Sequence, residues 1–243
     1  MRTPHPIAAP PLAALAEPPG AAAAPRRALA EGPWQHELLR RMKRLLLLKT
    51  SGITAFMWIF FIAYFHELRH PGHPVTAMPL TALDRWIPFE PAALGAYVSL
   101  WLYVGIAPGL MPNFRQLVVF GLWAAALCTA GLACFHYWPT AVPAQLVNVG
   151  QHPGFALLQG VDAAGNACPS LHVATAMFSA LWIHRLLQDI RMPAAFRAAN
   201  LLWFFAIAWS TLAIKQHVVI DVLAGALLGA VFAAMSLRWR PAI

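Results

Sequence analysis

The sequence predicts an all-α integral membrane protein, a six-helix bundle preceded by a disordered N-terminal tail. Three observations carry that expectation. The 243-residue chain is 60% hydrophobic and only 11% charged, whereas a soluble domain carries roughly a quarter charged residues. Six apolar runs, near residues 45–65, 92–112, 117–138, 170–188, 197–215 and 217–237, punctuate it, each close to the ~20 residues a helix needs to cross hydrocarbon. The basic residues also alternate in density between the connections, as the positive-inside rule requires of a membrane protein.

Residues 1–33 hold eight prolines and many alanines but almost no large apolar side chains. Such a stretch cannot bury enough surface to offset its ordering entropy, so it reads as a disordered cytoplasmic tail. Residues 34–44, with Arg40, Arg41, Lys43 and Arg44, read as a basic juxtamembrane segment lying on the membrane surface. The first apolar run starts too late and is too long for a cleaved leader, which makes it a signal anchor. Asn113-Phe114-Arg115 is a short link that folds spans two and three into a tight hairpin. The longest connections, 66–91 and 139–169, are rich in Pro, Gly and His. The six-span domain occupies 45–237, and 238–243 form a cytoplasmic C-terminal tail.

Orientation follows from counting. With the N-terminus in the cytoplasm, fourteen of the Lys and Arg residues fall inside; only Arg69, Arg85 and Lys215 fall outside. Fourteen against three is a strong positive-inside bias. Tyr137 and Trp138 then sit as an aromatic belt at the outer end of span three. This topology, drawn from charge and hydropathy alone, brings His172, Lys215, His217 and Asp221 to the outer boundary. The compact chain fits a bacterial inner membrane. Its net charge of +8 does not indicate nucleic acid, because the basic residues flank apolar segments and form no aromatic-interleaved patch. Cys128, Cys134 and Cys168 have no metal-ligand spacing; a Cys134–Cys168 disulfide on the outer side is conceivable.

Ionisable groups at membrane boundaries are expensive and usually functional. Here they form a set. His217 and Asp221 are four residues apart at the start of the last span, so they share one helix face. The carboxylate can orient the ring through Nδ1 and leave Nε2 as a nucleophile toward phosphorus. His172 is the candidate general acid for the leaving oxygen. Ser170 opens span four, where free N–H groups favour an anion, and Lys215 and Arg85 are candidate cations for the phosphoryl group. No metal or other cofactor is required. Each residue has a bland alternative: Ser170 as a helix cap, Asp221 as a dipole partner, Lys215 as a snorkelling side chain, Arg85 as a headgroup grip. Those alternatives need several coincidences at one membrane level. Five further histidines (His66, His70, His73, His136, His152) face outward, and a metal cluster among them is the weaker reading, since loop histidines are usually solvated.

The segments Pro169-Ser170-Leu171-His172 and Ser210-x6-His217-x3-Asp221 resemble the second and third motifs of the type 2 phosphatidic acid phosphatase superfamily. The resemblance implies a six-helix membrane core, metal-independent chemistry and a histidine nucleophile at His217, and it adds Ser210 to the phosphate-binding set. Two departures stand out. Thr211 replaces the arginine of the third motif, and no Lys-x6-Arg-Pro first motif is present; the second motif is matched with Leu171 in its glycine position. Pro-Ser-Leu-His and Ser-Thr-x5-His are similar to the inositol phosphorylceramide synthase branch, whose members move a phosphate-bearing head group between lipids. The expected activity is thus a lipid phosphatase or a lipid phosphotransferase, with a lipid phosphoester as substrate and water or a lipid hydroxyl as acceptor. The alternative from another class is a non-catalytic lipid-binding or transport protein that keeps the same helical core.

Overall fold

The computed structural model describes residues 34–143 and 166–241. The tail expected at 1–33, most of the 139–169 connection with His152, and the last two residues lie outside the described residues.

A short helix, α1 (Trp34–Lys43), precedes the first long one. Its buried Glu37 carboxylate accepts from Arg40 Nε at 2.7 Å and Arg41 Nε at 2.8 Å. Those two guanidinium groups hold Glu37 below the usual carboxylate range against the opposing effect of burial. This is the segment the sequence expects beside the membrane, and it is anchored: Lys49, on α2 (Leu46–Arg69), donates its Nζ to the carbonyls of Arg41 and Gly109.

The second run is not one continuous helix. A 3-10 turn (Pro91–Ala93) leads into α4 (Leu94–Val98) and then α5 (Leu100–Gly109), with the break at Ser99. The Ser99 hydroxyl bonds back to the Ala96 carbonyl at 2.6 Å and accepts from Trp203 Nε1 at 2.9 Å; such back-bonding bends helices. Asn113 caps α6 (Phe114–Tyr137) through the Gln116 N–H, giving the tight hairpin that the sequence implies. The bundle closes with α7 (Leu171–Asp189), α8 (Ala194–Ala213) and α9 (Val219–Arg238). Between α2 and α4 lie two further elements, the strand β1 (Thr76–Ala77) and a five-residue helix, α3 (Ala82–Trp86). β1 pairs in parallel with β2 (Thr140–Ala141), so the two long connections are stitched together.

Among the described residues, five stretches are long and apolar enough to cross a membrane: Leu46–Arg69, Pro91–Gly109, Phe114–Tyr137, Ala194–Ala213 and Val219–Arg238. The run expected as the fourth span, now α7, has 19 residues, or about 28 Å of helix. Its composition is less apolar because it sits inside the bundle, where it faces protein rather than hydrocarbon. Val173, Ala174, Ala176, Phe178, Ala180 and Trp182 are all buried. Polar side chains there are paired: Trp182 Nε1 donates to Ser236 Oγ at 2.8 Å, and Asn200 Nδ2 to the Ala180 carbonyl at 3.0 Å. The α7–α9 contact is the closest in the bundle. A Cβ on Gly225 would overlap the Ser170 carbonyl, and one on Gly229 the Ala174 carbonyl. Small residues four apart let two backbones meet this way, and they set the start of α7 directly on α9.

Candidate active site

The turn between α8 and α9 carries His217. Its geometry is fixed from both sides. The backbone N–H groups of Gln216 and His217 both donate to the Thr211 carbonyl, at 3.0 and 3.1 Å, while Lys215 takes a left-handed backbone conformation, φ 62°. At the start of α9, Asp221 Oδ2 accepts the Val218 N–H at 3.0 Å. Asp221 is fully buried, and its backbone carbonyl accepts the Ser170 N–H at 3.0 Å. The Pro-Ser-Leu-His segment and the His-x3-Asp segment therefore touch through the backbone.

His217 Nδ1 lies 3.6 Å from Asp221 Oδ2. That is an electrostatic contact rather than a hydrogen bond, and shortening it by about 0.6 Å would make one. Oδ2 is also held by the Val218 N–H, while the buried Oδ1 has no hydrogen-bond partner among the described residues. Free sites often show such long contacts that tighten when substrate binds. The His172 ring stacks on Tyr97, with centroids 4.0 Å apart and planes 16° from parallel, and it hydrogen-bonds the Tyr97 backbone. Its Nε2 is buried without a partner.

His172 and His217 both line a cleft of about 1340 Å³ between α2, α5, α6 and α7. The cleft runs from Lys49 and Phe114 at one end to Tyr97, Asn166 and the two histidines at the other, along walls such as Ile53, Phe56, Phe60 and Val104. The catalytic candidates thus sit at the head of a long apolar channel.

The remaining candidates fall elsewhere. Ser170 is fully buried, and its Oγ accepts the Val173 N–H at 3.2 Å as the cap of α7. Ser210 is a turn inside α8, its hydroxyl donating to the Ile207 carbonyl at 2.6 Å. Thr211, where the family motif has arginine, is likewise buried with its hydroxyl on the Ala208 carbonyl. Lys215 directs its ammonium to the carbonyls of Asp84 and Ile87 at the end of α3. Burial lowers the Lys215 pKa, partly offset by the Asp84 charge. Arg85 is exposed on α3 and makes no hydrogen bond or ion pair among the described residues.

Asp84 is the residue that sequence reasoning passed over. Its Oδ2 accepts from both the Thr81 N–H and the Thr81 hydroxyl at 2.7 Å, and its Oδ1 accepts the Val219 N–H at 2.8 Å. Burial acts to raise this carboxyl, but the Thr81 and Val219 hydrogen bonds and the Lys215 charge bring it below the usual range. Thr81-x-x-Asp84 is a capping box, which is readable from sequence; its second use, on α9, is not.

Cys168 adjoins the site. Burial, then the Asp221 charge, push its thiol up to about 11, so it stays protonated near neutrality and is no thiolate nucleophile. Cys128, Cys134 and Cys168 are all free thiols in the structure. Among the described residues no group of three or more His, Cys, Asp or Glu side chains could hold a metal ion; the loop histidines instead form separate contacts, such as His136 Nδ1 with Glu67 Oε2 at 3.1 Å.

The family model described as PAP2 superfamily matches residues 124–243, which span the second half of α6 and all of α7, α8 and α9. No curated protein and no solved structure matches the chain. The family match supports phosphoesterase-type chemistry on a phosphate-containing substrate.

Proposed function

We propose that the protein is a PAP2-superfamily membrane enzyme that cleaves a lipid phosphoester through a phosphohistidine at His217. The observation that carries this is the pairing of His217 with the buried Asp221 at the mouth of an apolar cleft that His172 also lines. Nε2 of His217 attacks phosphorus, and the developing imidazolium is stabilised by Asp221. His172 protonates the departing oxygen and, in the second step, takes a proton from the acceptor hydroxyl. The N-terminus of α7, capped by Ser170, contributes its dipole toward the phosphoryl oxygens. Lys215 acts by holding α3 against the His217 turn. The cleft suits the hydrocarbon part of a lipid: α2 lines it from Leu48 to Arg69, about 32 Å of helix against the ~30 Å of a bilayer core.

The charge asymmetry supports an outer-leaflet site with both ends of the chain in the cytoplasm. The motif cations missing at Thr211 and upstream favour a phosphodiester, which carries one negative charge, over a monoester dianion. That inclines the reading toward head-group transfer to a lipid hydroxyl. The test is to incubate purified protein with labelled phosphatidic acid and with a labelled phosphodiester lipid, each with and without a lipid acceptor, and to quench in alkali to trap protein-bound phosphate. Acid-labile label on wild type and none on His217→Ala is expected. Turnover that survives in His217→Ala would refute the nucleophile assignment, and binding without turnover in wild type would favour a lipid carrier.

A further inference from the structure

We infer that Asn166 is a phosphoryl-binding residue, its side-chain amide donating to a non-bridging oxygen of the group under attack. Asn166 is 8% exposed, lines the cleft together with His172 and His217, and has its Nδ2 buried without a hydrogen-bond partner among the described residues. Buried polar atoms in folded proteins are nearly always paired, because an orphaned amide forfeits the hydrogen bonds it made to water. Three residues on this cleft break that rule together: Asn166 at Nδ2, His172 at Nε2 and His217 at Nδ1. His217 Nδ1 faces Asp221, which leaves the first two atoms to be satisfied by a ligand. A tetrahedral phosphoryl group does so, with His172 at the leaving oxygen and Asn166 at an equatorial one.

Position supports the assignment. Asn166 stands four residues before Ser170, within about 14 Å of chain, so it belongs to the histidine end of the cleft. Its backbone is held independently of its side chain. It bridges Thr140, the Ala167 N–H donates to the Thr140 carbonyl at 3.0 Å, and the Cys168 N–H donates to the Thr140 hydroxyl at 2.8 Å. The amide is thereby fixed in place while neither of its ends is used by another described residue, as a preorganised donor requires. A neutral donor here also fits a site that lacks the motif arginine at Thr211.

This inference rests on the phosphoester reading, and one experiment separates the two. The full chain in detergent is assayed on phosphatidic acid and a phosphodiester lipid, with orthovanadate as inhibitor, for wild type, Asn166→Ala and Asn166→Asp. Removing one such donor lowers kcat/KM by about a hundredfold. Vanadate inhibition weakens in parallel, thermal midpoints stay at the wild-type value, and Asn166→Asp is worse than Asn166→Ala because a carboxylate repels the anion. A structural role for the amide oxygen gives the opposite order, with Asp restoring what Ala loses, and overturns the assignment. So do variants within twofold of wild type on both readouts, or failure of both to fold. A wild-type protein that neither turns over nor responds to vanadate overturns the phosphoester reading itself, and this inference with it.

Discussion

The carboxylate of Asp84 accepts the backbone N–H of Val219 at 2.8 Å, across 135 positions of sequence. In return Lys215 donates to the carbonyls of Asp84 and Ile87, and the Glu90 N–H donates to the Ala213 carbonyl at 3.0 Å. These contacts bracket residues 214–218, the turn that presents His217. α3 therefore works as a clamp on the backbone around His217, and Asp84 is a positioning residue for that turn.

Asp84→Ala should slow turnover by lowering kcat more than it raises KM, because the phosphate contacts survive while the aim of His217 loosens. Asp84→Asn keeps an acceptor for Val219 and should lose less. Asp84 is partly exposed, so the stability loss is modest, about 1 kcal/mol. Its carboxyl is held below its ordinary value in the folded protein. The contribution is thus complete above that value and disappears as pH falls through the lower folded value. Thermal midpoints of wild type and Asp84→Asn, followed in detergent from pH 6 to pH 3, should converge at the acid end. A gap that stays constant would separate Asp84 from the clamp.

Asp221→Asn isolates charge from shape. An asparagine oxygen can still accept the Val218 N–H that Oδ2 holds at 3.0 Å, and the Ser170 N–H binds the Asp221 backbone carbonyl, which the substitution leaves alone. The fold should persist. What is lost is the anion that orients His217 and stabilises its positive charge, an effect of about 10⁴ in kcat where such pairs have been dissected. Single-turnover rates would measure it; a loss under tenfold would mean that Asp221 serves only as the α9 cap.

The spans and the histidine–carboxylate pair were legible in the sequence because both depend on local rules. Hydropathy marks the helices, and a separation of four residues puts His217 and Asp221 on one face. The enclosed position of α7 was visible only as weaker apolarity, which a span count reads as a poor helix rather than an interior one. Ser210 and Thr211 show why a motif position is not a contact, since both hydroxyls turn back onto their own helix. The uses of Lys215 and Asp84 depend on α3 folding back over the α8–α9 turn, a tertiary approach between residues more than a hundred positions apart that no local pattern encodes. The β1–β2 pairing was invisible for the same reason, being two residues long and joining distant loops.

Lys215 tests backbone and ammonium separately. Its φ of 62° is the left-handed region, which glycine enters without penalty and other L-residues at about 1 kcal/mol. Lys215→Gly should therefore be more stable than Lys215→Ala, although both lose the bonds to Asp84 and Ile87. Both should show a reduced kcat with KM for phosphatidic acid nearly unchanged, since the ammonium acts through α3. A KM that rises alone would return Lys215 to the phosphate itself.

Gly225→Ala should damage the bundle at the end that carries the candidate site. Its Cβ would meet the Ser170 carbonyl, a backbone atom that cannot rotate away. Relief requires α7 to move off α9, and overpacking of this kind costs about 1–3 kcal/mol. The same movement strains the Ser170 N–H bond to the Asp221 carbonyl at 3.0 Å and carries His172 away from His217. Activity should therefore fall further than stability does. Gly105→Ala is the control, because a Cβ there meets nothing within 4 Å and the residue does not line the cleft; its midpoint and turnover should match wild type. Equal behaviour of the two variants would show that the glycine contact between α7 and α9 does not set the site.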